Sequence, residues 1–599
     1  AEFFRPLGYT SSGRSQHQYG AVGRLRPGAS LEAAQAQMSA LARQAESEYP
    51  DARGWGVLVS PLGDAEAGAA RPPLLVLATA VGLVLLIACA NVASLMLVRV
   101  TARSREIAVR AALGAGRTRL VRELLVEGGL LALGGTALGL VLANWVLRLA
   151  ASMVPPAMWV PGFVGIDARV LAFSVVLAIV STLLFALAPA YRALRQDLLR
   201  CLKSAGAPAP QQRFLRNVIV VEIGLAAVLL VTAGLLIASL SSLFSQDLGF
   251  RHEDLLTMQV RLPRARYDAA QTVAFYQELL ERVVALPGVE SAAATTALPM
   301  SGWYSGLGFE IEGRPAPEEW RQQMAQSCAV TPGYFQTMGI ALLRGRDLSA
   351  ADRESASQII VISDTMAQRY WPDADPVGQR VRYRGGDWLT IAGVAADTRY
   401  SGPSREPNST IYQPHSQAAS ARMFLAVRLR PGSDTVVAAI REFLTEMDAD
   451  VPLTRVALMD ELLADTLIVE RLVTVLLGAF ALLALVLAAV GLYGVVAHSV
   501  ARQTREIGLR VALGATPPQV FGGVLWKGLL LALGGAAWGM LAAAAAARAL
   551  SSVMYGIEPA DPVIFTFVPL MLCAVALLAS YVPARRATCV DPAESLRAE

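Results

Sequence analysis

The sequence predicts a polytopic α-helical membrane protein with an α+β domain outside the cytoplasm. It reads as a tandem repeat of a four-span unit whose first copy is incomplete at its N-terminus. Three observations carry this. The 599 residues are 54% hydrophobic and 17% charged, against roughly 25% charged in soluble domains. Seven long runs are almost free of charge. And the stretch 104–135, SREIAVRAALGAGRTRLVRELLVEGGLLALGG, returns at 504–535 as TREIGLRVALGATPPQVFGGVLWKGLLLALGG, at a constant offset of 400 (504 − 104). Such a repeat is the first thing to look for, because missing it mis-assigns the whole fold.

Residues 1–70 have soluble character. A strand over 19–26 leads into Arg26-Pro27-Gly28, then a helix over 31–48 by apolar periodicity. The same order recurs as 424–430, Arg430-Pro431-Gly432 and a helix over 435–447. Residues 1–70 thus match only the tail of the second soluble region and read as the remnant of a first extracytoplasmic domain. Residue 1 is Ala, and no signal or span precedes the segment. The natural chain is therefore expected to be longer.

Charge then sets the topology. The run 72–98 is uncharged, bounded by Arg71 and Arg99, and long enough to span a bilayer. The loop after it carries Arg99, Arg103, Arg105, Arg110, Arg117, Arg119 and Arg122 against Glu106, so it is placed in the cytoplasm. Spans follow at 128–147 and 170–191, and the stretch 150–168 between them, free of basic residues, is placed outside. A basic stretch with an Ala-Pro linker at 206–210 marks the junction between the copies. The second copy supplies spans at 217–246, 472–496, 528–547 and 562–584, for seven in all. Between the first two of these lies the large soluble region. Strands are expected there at 255–262, 289–296, 358–362, 388–395 and 424–429, with a helix near 269–285, which is an α+β pattern. The expected organisation is 1–70, domain remnant; 71–199, first three-span unit; 200–213, cytoplasmic linker; 214–246, first span of the second copy; 247–470, extracytoplasmic domain; 471–599, second three-span unit.

Enzyme chemistry finds no support. The only lysines, Lys203 and Lys527, lie outside any phosphate-loop pattern. His17, His252, His415 and His498 form no metal spacing, and the five cysteines suggest neither disulfides nor zinc. No catalytic residue, cofactor or metal site is expected. A net charge of +4 is too small to suggest nucleic acid.

Two features stand out. Glu106 precedes Arg110, and Glu506 precedes Arg510, by four residues, the favourable order for a helix ion pair. Basic residues beside a span can serve topology alone, but topology needs no particular Glu. A short helix along the membrane with both signs of charge suits docking onto a partner. Glu222 lies six residues past Arg216, about 9 Å into its span. It is either a functional carboxylate or one that snorkels to the interface. The pairs Gly135-x-x-x-Gly139 and Gly535-x-x-x-Gly539 read as helix-packing motifs.

The Arg-Glu-Ile loops and the Leu-Gly-Ala after them, Val330-Thr331-Pro332-Gly333-Tyr334-Phe335, and the ending Pro583-Ala584-Arg585-Arg586-Ala587, Asp591-Pro592, Glu594-Ser595-Leu596-Arg597 together resemble the MacB/FtsX-like ABC transporter permeases. The duplication resembles the acidobacterial duplicated orphan permease subfamily. The resemblance implies a bacterial inner-membrane permease subunit that is not itself an enzyme. A separate ABC ATP-binding subunit would drive it, and region 247–470 would be a MacB-like core domain handling substrate outside the membrane for export or extraction. Arg105, Glu106, Arg110, Arg505, Glu506 and Arg510 would face the ATPase. Membrane lipid is the surrounding partner. The alternative is a non-transporting sensor or scaffold that binds an extracytoplasmic partner protein.

Overall fold

The computed structural model describes residues 21–48, 56–62, 71–102, 117–153, 165–195, 210–549 and 560–588, apart from short gaps at 264, 303–305, 316–322, 354–355, 384–385, 404 and 434. The chain divides into two compact units, Ala1–Arg71 with Leu243–Ile468, and Pro72–Ser242 with Val469–Glu599.

In chain order the described elements begin with α1 (Leu31–Glu48), α2 (Arg71–Ala102), α3 (Arg117–Met153), α4 (Ala168–Arg195) and α5 (Pro210–Ser245). The soluble region holds β1 (Leu255–Arg261), α6 (Ala269–Val284), β2 (Val289–Thr295), β3 (Gly306–Ile311), β4 (Met324–Val330), α7 (Tyr334–Met338), β5 (Leu342–Gly345), β6 (Ile359–Ser363), α8 (Asp364–Tyr370), β7 (Arg380–Tyr383), β8 (Leu389–Ala395), β9 (Thr410–Pro414), β10 (Arg422–Leu429), α9 (Val436–Met447), β11 (Leu453–Leu458) and α10 (Met459–Thr466). The chain continues through α11 (Ile468–Arg502), α12 (Thr504–Ala512), α13 (Pro517–Ala549) and α14 (Pro562–Thr588).

In the soluble unit, β1–α6–β2 and β10–α9–β11 interleave as a four-stranded antiparallel sheet of order β11–β1–β10–β2. This is a ferredoxin-like split βαβ arrangement. Strand alternation divides the faces. Leu256, Met258 and Val260 of β1 with Met423, Leu425 and Val427 of β10 meet Phe275, Tyr276 and Leu279 of α6 and Val436, Ile440 and Leu444 of α9. Asp268 starts α6 with a reciprocal capping box to Gln271, satisfying two backbone donors that a helix end leaves open. Between β2 and β10 the chain inserts a closed ring of six strands, β4–β3–β7–β8–β6–β9, sealed by parallel pairing of β9 with β4. Phe309, Ile360, Ile362, Val381, Ile391 and Ile411 fill one of its cores.

The strands expected at 255–262, 289–296, 358–362, 388–395 and 424–429 are β1, β2, β6, β8 and β10. The strand expected at 19–26 does not form over the described residues 21–26, which are exposed and unpaired in any ladder. In the second copy the matching strand β10 lies between β1 and β2. Residues 21–26 have no such neighbours among the described residues, so their backbone gains nothing from extending.

Among the described residues of the membrane unit, six helices are long and apolar enough to cross a bilayer: Arg71–Arg99, Leu125–Arg148, Arg213–Ser245, Ile468–Arg502, Pro517–Arg548 and Pro562–Thr588. The seventh expected span falls on α4, where the apolar stretch Ala168–Leu184 is shorter. The most enclosed of the six is α5, with Ile219, Glu222, Ile223, Ala226, Ala227, Leu229, Val231 and Leu235 buried. On α11 the buried residues Val473, Leu477, Ala481, Ala484, Ala488, Leu492 and Val496 recur every three or four positions, the stripe of a helix with one packed face.

Candidate functional site

Two places in the membrane unit are candidate sites. The first is the elbow after α11. Helix α12 begins two residues past the end of α11 at Arg502 and holds the second Arg-Glu-Ile sequence. Ile507 is buried and joins the apolar core of the helices. Glu506, Leu509 and Arg510 are exposed, and Leu513 just beyond is more exposed still. The Glu506 and Arg510 side chains form an i,i+4 ion pair at 2.6 Å. Gln503 accepts a hydrogen bond from Lys527 Nζ of α13 at 3.0 Å, holding the start of the elbow. Its end is marked by Gly514, whose φ of 99° is the left-handed conformation that closes helices and favours glycine. One amphipathic helix thus buries Ile507 and presents two exposed leucines beside a pair of opposite charges.

The second place is inside the helix bundle. Glu222 of α5 is 2% exposed, and Asn91 of α2 is 6% exposed, so neither reaches solvent. Asn91 Nδ2 donates to Glu222 Oε1 in a short hydrogen bond and to the carbonyl of Leu487 on α11 at 2.9 Å. That carbonyl lies one turn before Gly491. A Cβ at Gly491 would stand 2.7 Å from Glu222 Oε2 and would also run into Asn91 Oδ1. Three helices therefore meet at one buried carboxylate, and the missing side chain at 491 makes room for it. One turn further on, a Cβ at Gly494 would lie 3.8 Å from Leu95 Cδ2, in ordinary contact.

Of the residues singled out in the sequence, Glu506 and Arg510 are brought together, and Glu222 is buried against a specific partner. Only the side chain of Arg505 lies outside the described set on α12. Arg105, Glu106 and Arg110 lie outside the described residues, as does all of 103–116. Sequence reasoning did not single out Asn91, Gly491, Leu509 or Leu513. Asn91 carried a usable signal, being the one primary amide in the uncharged run 72–98. Leu509 and Leu513 looked like ordinary apolar helix residues until the burial of Ile507 showed which face turns inward.

Comparison with known proteins bears on both units. The family model described as the MacB-like periplasmic core domain matches residues 215–443. The FtsX-like permease C-terminal model matches twice, at 78–198 and 478–592. Among curated proteins, the chain is 27% identical over 276 residues to a macrolide export ATP-binding/permease protein MacB of Marinobacter nauticus, covering 43% of this chain and 41% of that protein. It is 28% identical over 281 residues to the protein of that name from Chromobacterium violaceum, covering 44% and 42%. The match therefore spans well under half the length of these relatives. Among solved structures, the periplasmic region of MacB from Actinobacillus actinomycetemcomitans aligns with 15% identity and a TM-score of 0.26, over 36% of this chain and 92% of that one.

Proposed function

The chain belongs to the MacB/FtsX-like permeases, multi-pass proteins of the inner membrane with a large domain outside the cytoplasm, and from that premise we propose that it is the membrane component of an ABC-type system. In this reading a separate ATP-binding subunit docks on the cytoplasmic elbows. Its closure drives movement of the extracytoplasmic region for export or extraction of a substrate. The observation that carries the proposal is the exposed face of α12, where Glu506, Leu509, Arg510 and Leu513 stand out while Ile507 anchors the helix. An apolar patch flanked by paired charges suits a protein interface better than it suits open cytoplasm.

The first-copy residues Arg105, Glu106 and Arg110 are assigned the same role through the repeat. Region 247–470 is assigned substrate handling. The test is affinity purification of the full chain from its native membranes in mild detergent, followed by ATPase assay. An ATP-binding subunit that co-purifies, and whose hydrolysis rises when the chain is added back, supports the proposal. Purification without such a subunit, together with no stimulation of any ATP-binding subunit found encoded beside it, overturns the proposal and leaves a sensor or scaffold.

A further inference from the structure

The buried carboxylate has no part in the proposed docking, yet it lies at a point where the two sequence copies touch. Asn91 and Gly491 stand at equivalent places in the repeat, 400 residues apart (491 − 91). One copy supplies the amide donor, and the other supplies the space. Glu222, on the helix that begins the second copy, fills that space and takes the donor. The bridge is not symmetric: exchanging Asn and Gly between the copies would move the donor to the wrong helix and put a side chain where the carboxylate sits.

Position along the helices adds to this. Glu222 is six residues past Arg216, Asn91 eight before Arg99, and Gly491 eleven before Arg502. At about 1.5 Å per residue the contact lies roughly 9 to 16 Å from the cytoplasmic ends, within the cytoplasmic half of a core about 30 Å thick. In hydrocarbon a polar side chain has few partners to choose from, so a hydrogen bond between helices selects one pairing over others. The same segment of α11 runs on directly into the elbow helix α12.

We propose that Glu222 is a positioning residue that ties α2 of the first copy to α11 of the second. The two copies then move as one body at the cytoplasmic side of the membrane. The tie acts through the Asn91 amide, which Glu222 holds in place while it donates to the Leu487 carbonyl of α11, with Gly491 as the socket. It needs no nucleotide-binding partner, so it stands or falls separately from the docking proposal.

The experiment reads helix pairing in the full-length chain in membrane vesicles. The native cysteines Cys89, Cys201, Cys328, Cys573 and Cys589 are replaced by alanine. Leu95→Cys and Gly494→Cys are introduced, and the pair is bridged with a short bis-methanethiosulfonate. A protease site inserted in the 206–210 linker then reports whether the two copies stay joined. With Glu222 present, fast bridging is expected. Glu222→Leu, which keeps the bulk and removes the acceptor, should slow bridging about tenfold, the scale of one interhelical hydrogen bond. Glu222→Gln, whose amide oxygen still accepts from Asn91, should restore it. A second pair, Gly234→Cys with Ile564→Cys, reports the seat of α5 against α14, where a Cβ at 234 would lie 3.1 Å from Ile564 Cγ2. Wild-type bridging of 95 with 494 in Glu222→Leu overturns the proposal, as does failure of Glu222→Gln to restore it. If Glu222→Leu also loses the second bridge, Glu222→Gln decides. Recovery of both bridges supports the tie, and recovery of the second bridge without the 95–494 bridge removes it.

Discussion

Gly539 of α13 lies against Gly224 of α5 so closely that a Cβ on Gly539 would come within 2.8 Å of the Gly224 Cα. One turn earlier, a Cβ on Gly535 would stand 2.7 Å from Ile223 Cβ and 2.8 Å from the Val220 carbonyl. The second Gly-x-x-x-Gly pair is therefore a seat for the α5 backbone. The matching pair Gly135 and Gly139 on α3 meets nothing within 4 Å among the described residues. Gly539→Val should force α5 and α13 apart and destabilise the protein by about 1–3 kcal/mol, the usual penalty for overpacking. Gly139→Val should change little. Thermal aggregation in detergent, followed for the two variants side by side, checks this. Equal loss in both would mean that α3 has an unseen partner at that face.

That contrast also marks where the sequence stops being informative. The two glycine pairs look alike in sequence, and only the helix opposite distinguishes them. Charge-free runs exposed the spans because a bilayer excludes charge over a fixed thickness. Strand-like runs marked β1, β2, β6, β8 and β10, of which β6 and the middle of β10 are buried on both faces. Short strands such as β3, β5, β7 and β9 were missed, since four to six residues carry little periodicity. Closure of the six-strand ring depends on pairing residues 326–330 with 410–414, a match that no local pattern encodes. Glu222 was visible as a carboxylate in an apolar run. Its partner Asn91 is 131 residues away, and the empty space at Gly491 has no sequence signature of its own.

In the extracytoplasmic unit, Arg428 of β10 is buried and spends its guanidinium on carbonyls. Nε and Nη2 donate to Thr337 O at 2.9 and 2.7 Å, Nη1 to Glu253 O at 2.8 Å, and Nη2 to Arg251 O at 2.9 Å. It thus pins the segment before β1 to the end of α7. Arg428→Ala leaves those acceptors short of donors, at about 1–3 kcal/mol for a buried unsatisfied group. Arg428→Lys should recover only part of this, because a single ammonium cannot span three carbonyls in a planar fork. Thermal melts of the three proteins check the order. Equal melting of wild type and Arg428→Ala would show the cluster to be dispensable.

His415, just past β9, gives the same unit a pH dependence. It is buried edge-on to Tyr276, and its Nε2 accepts from the Ser420 N–H at 3.1 Å. Burial pushes its pKa down from 6.5 to about 4, so the folded state holds it neutral. The unfolded chain takes up the proton at higher pH. This group therefore contributes stability that is fully present above about pH 6.5 and is lost progressively as pH falls toward 4. Melting temperature should decline across that window more steeply in wild type than in His415→Gln. Parallel pH profiles would remove His415 as the cause.

The elbow helix permits a sharper test, because its features separate stability from docking. The Glu506–Arg510 pair is exposed on both sides, so its loss should cost no more than about 0.5 kcal/mol. Leu509 and Leu513 are already in contact with water, and replacing them with Ser removes little packing from the fold. Ile507 is different, since its side chain joins the core, and Ile507→Ala should lower stability by about 2–5 kcal/mol. If α12 docks on an ATP-binding subunit, the order reverses for function. Truncating one member of a charge pair that docking buries costs roughly 2–5 kcal/mol, and apolar residues at the centre of an interface dominate its energy. Glu506→Ala and Leu509→Ser/Leu513→Ser should therefore insert and melt like wild type yet stimulate the partner's ATP hydrolysis at least tenfold less. The second elbow continues as Thr516-Pro517-Pro518-Gln519, where the first has the basic Gly116-Arg117-Thr118-Arg119. Glu106→Ala should accordingly differ from Glu506→Ala in size of effect. Hydrolysis measured in reconstituted membranes for each variant is the check. Full stimulation by the Glu506→Ala/Leu509→Ser/Leu513→Ser protein, correctly inserted, would take the docking role away from α12.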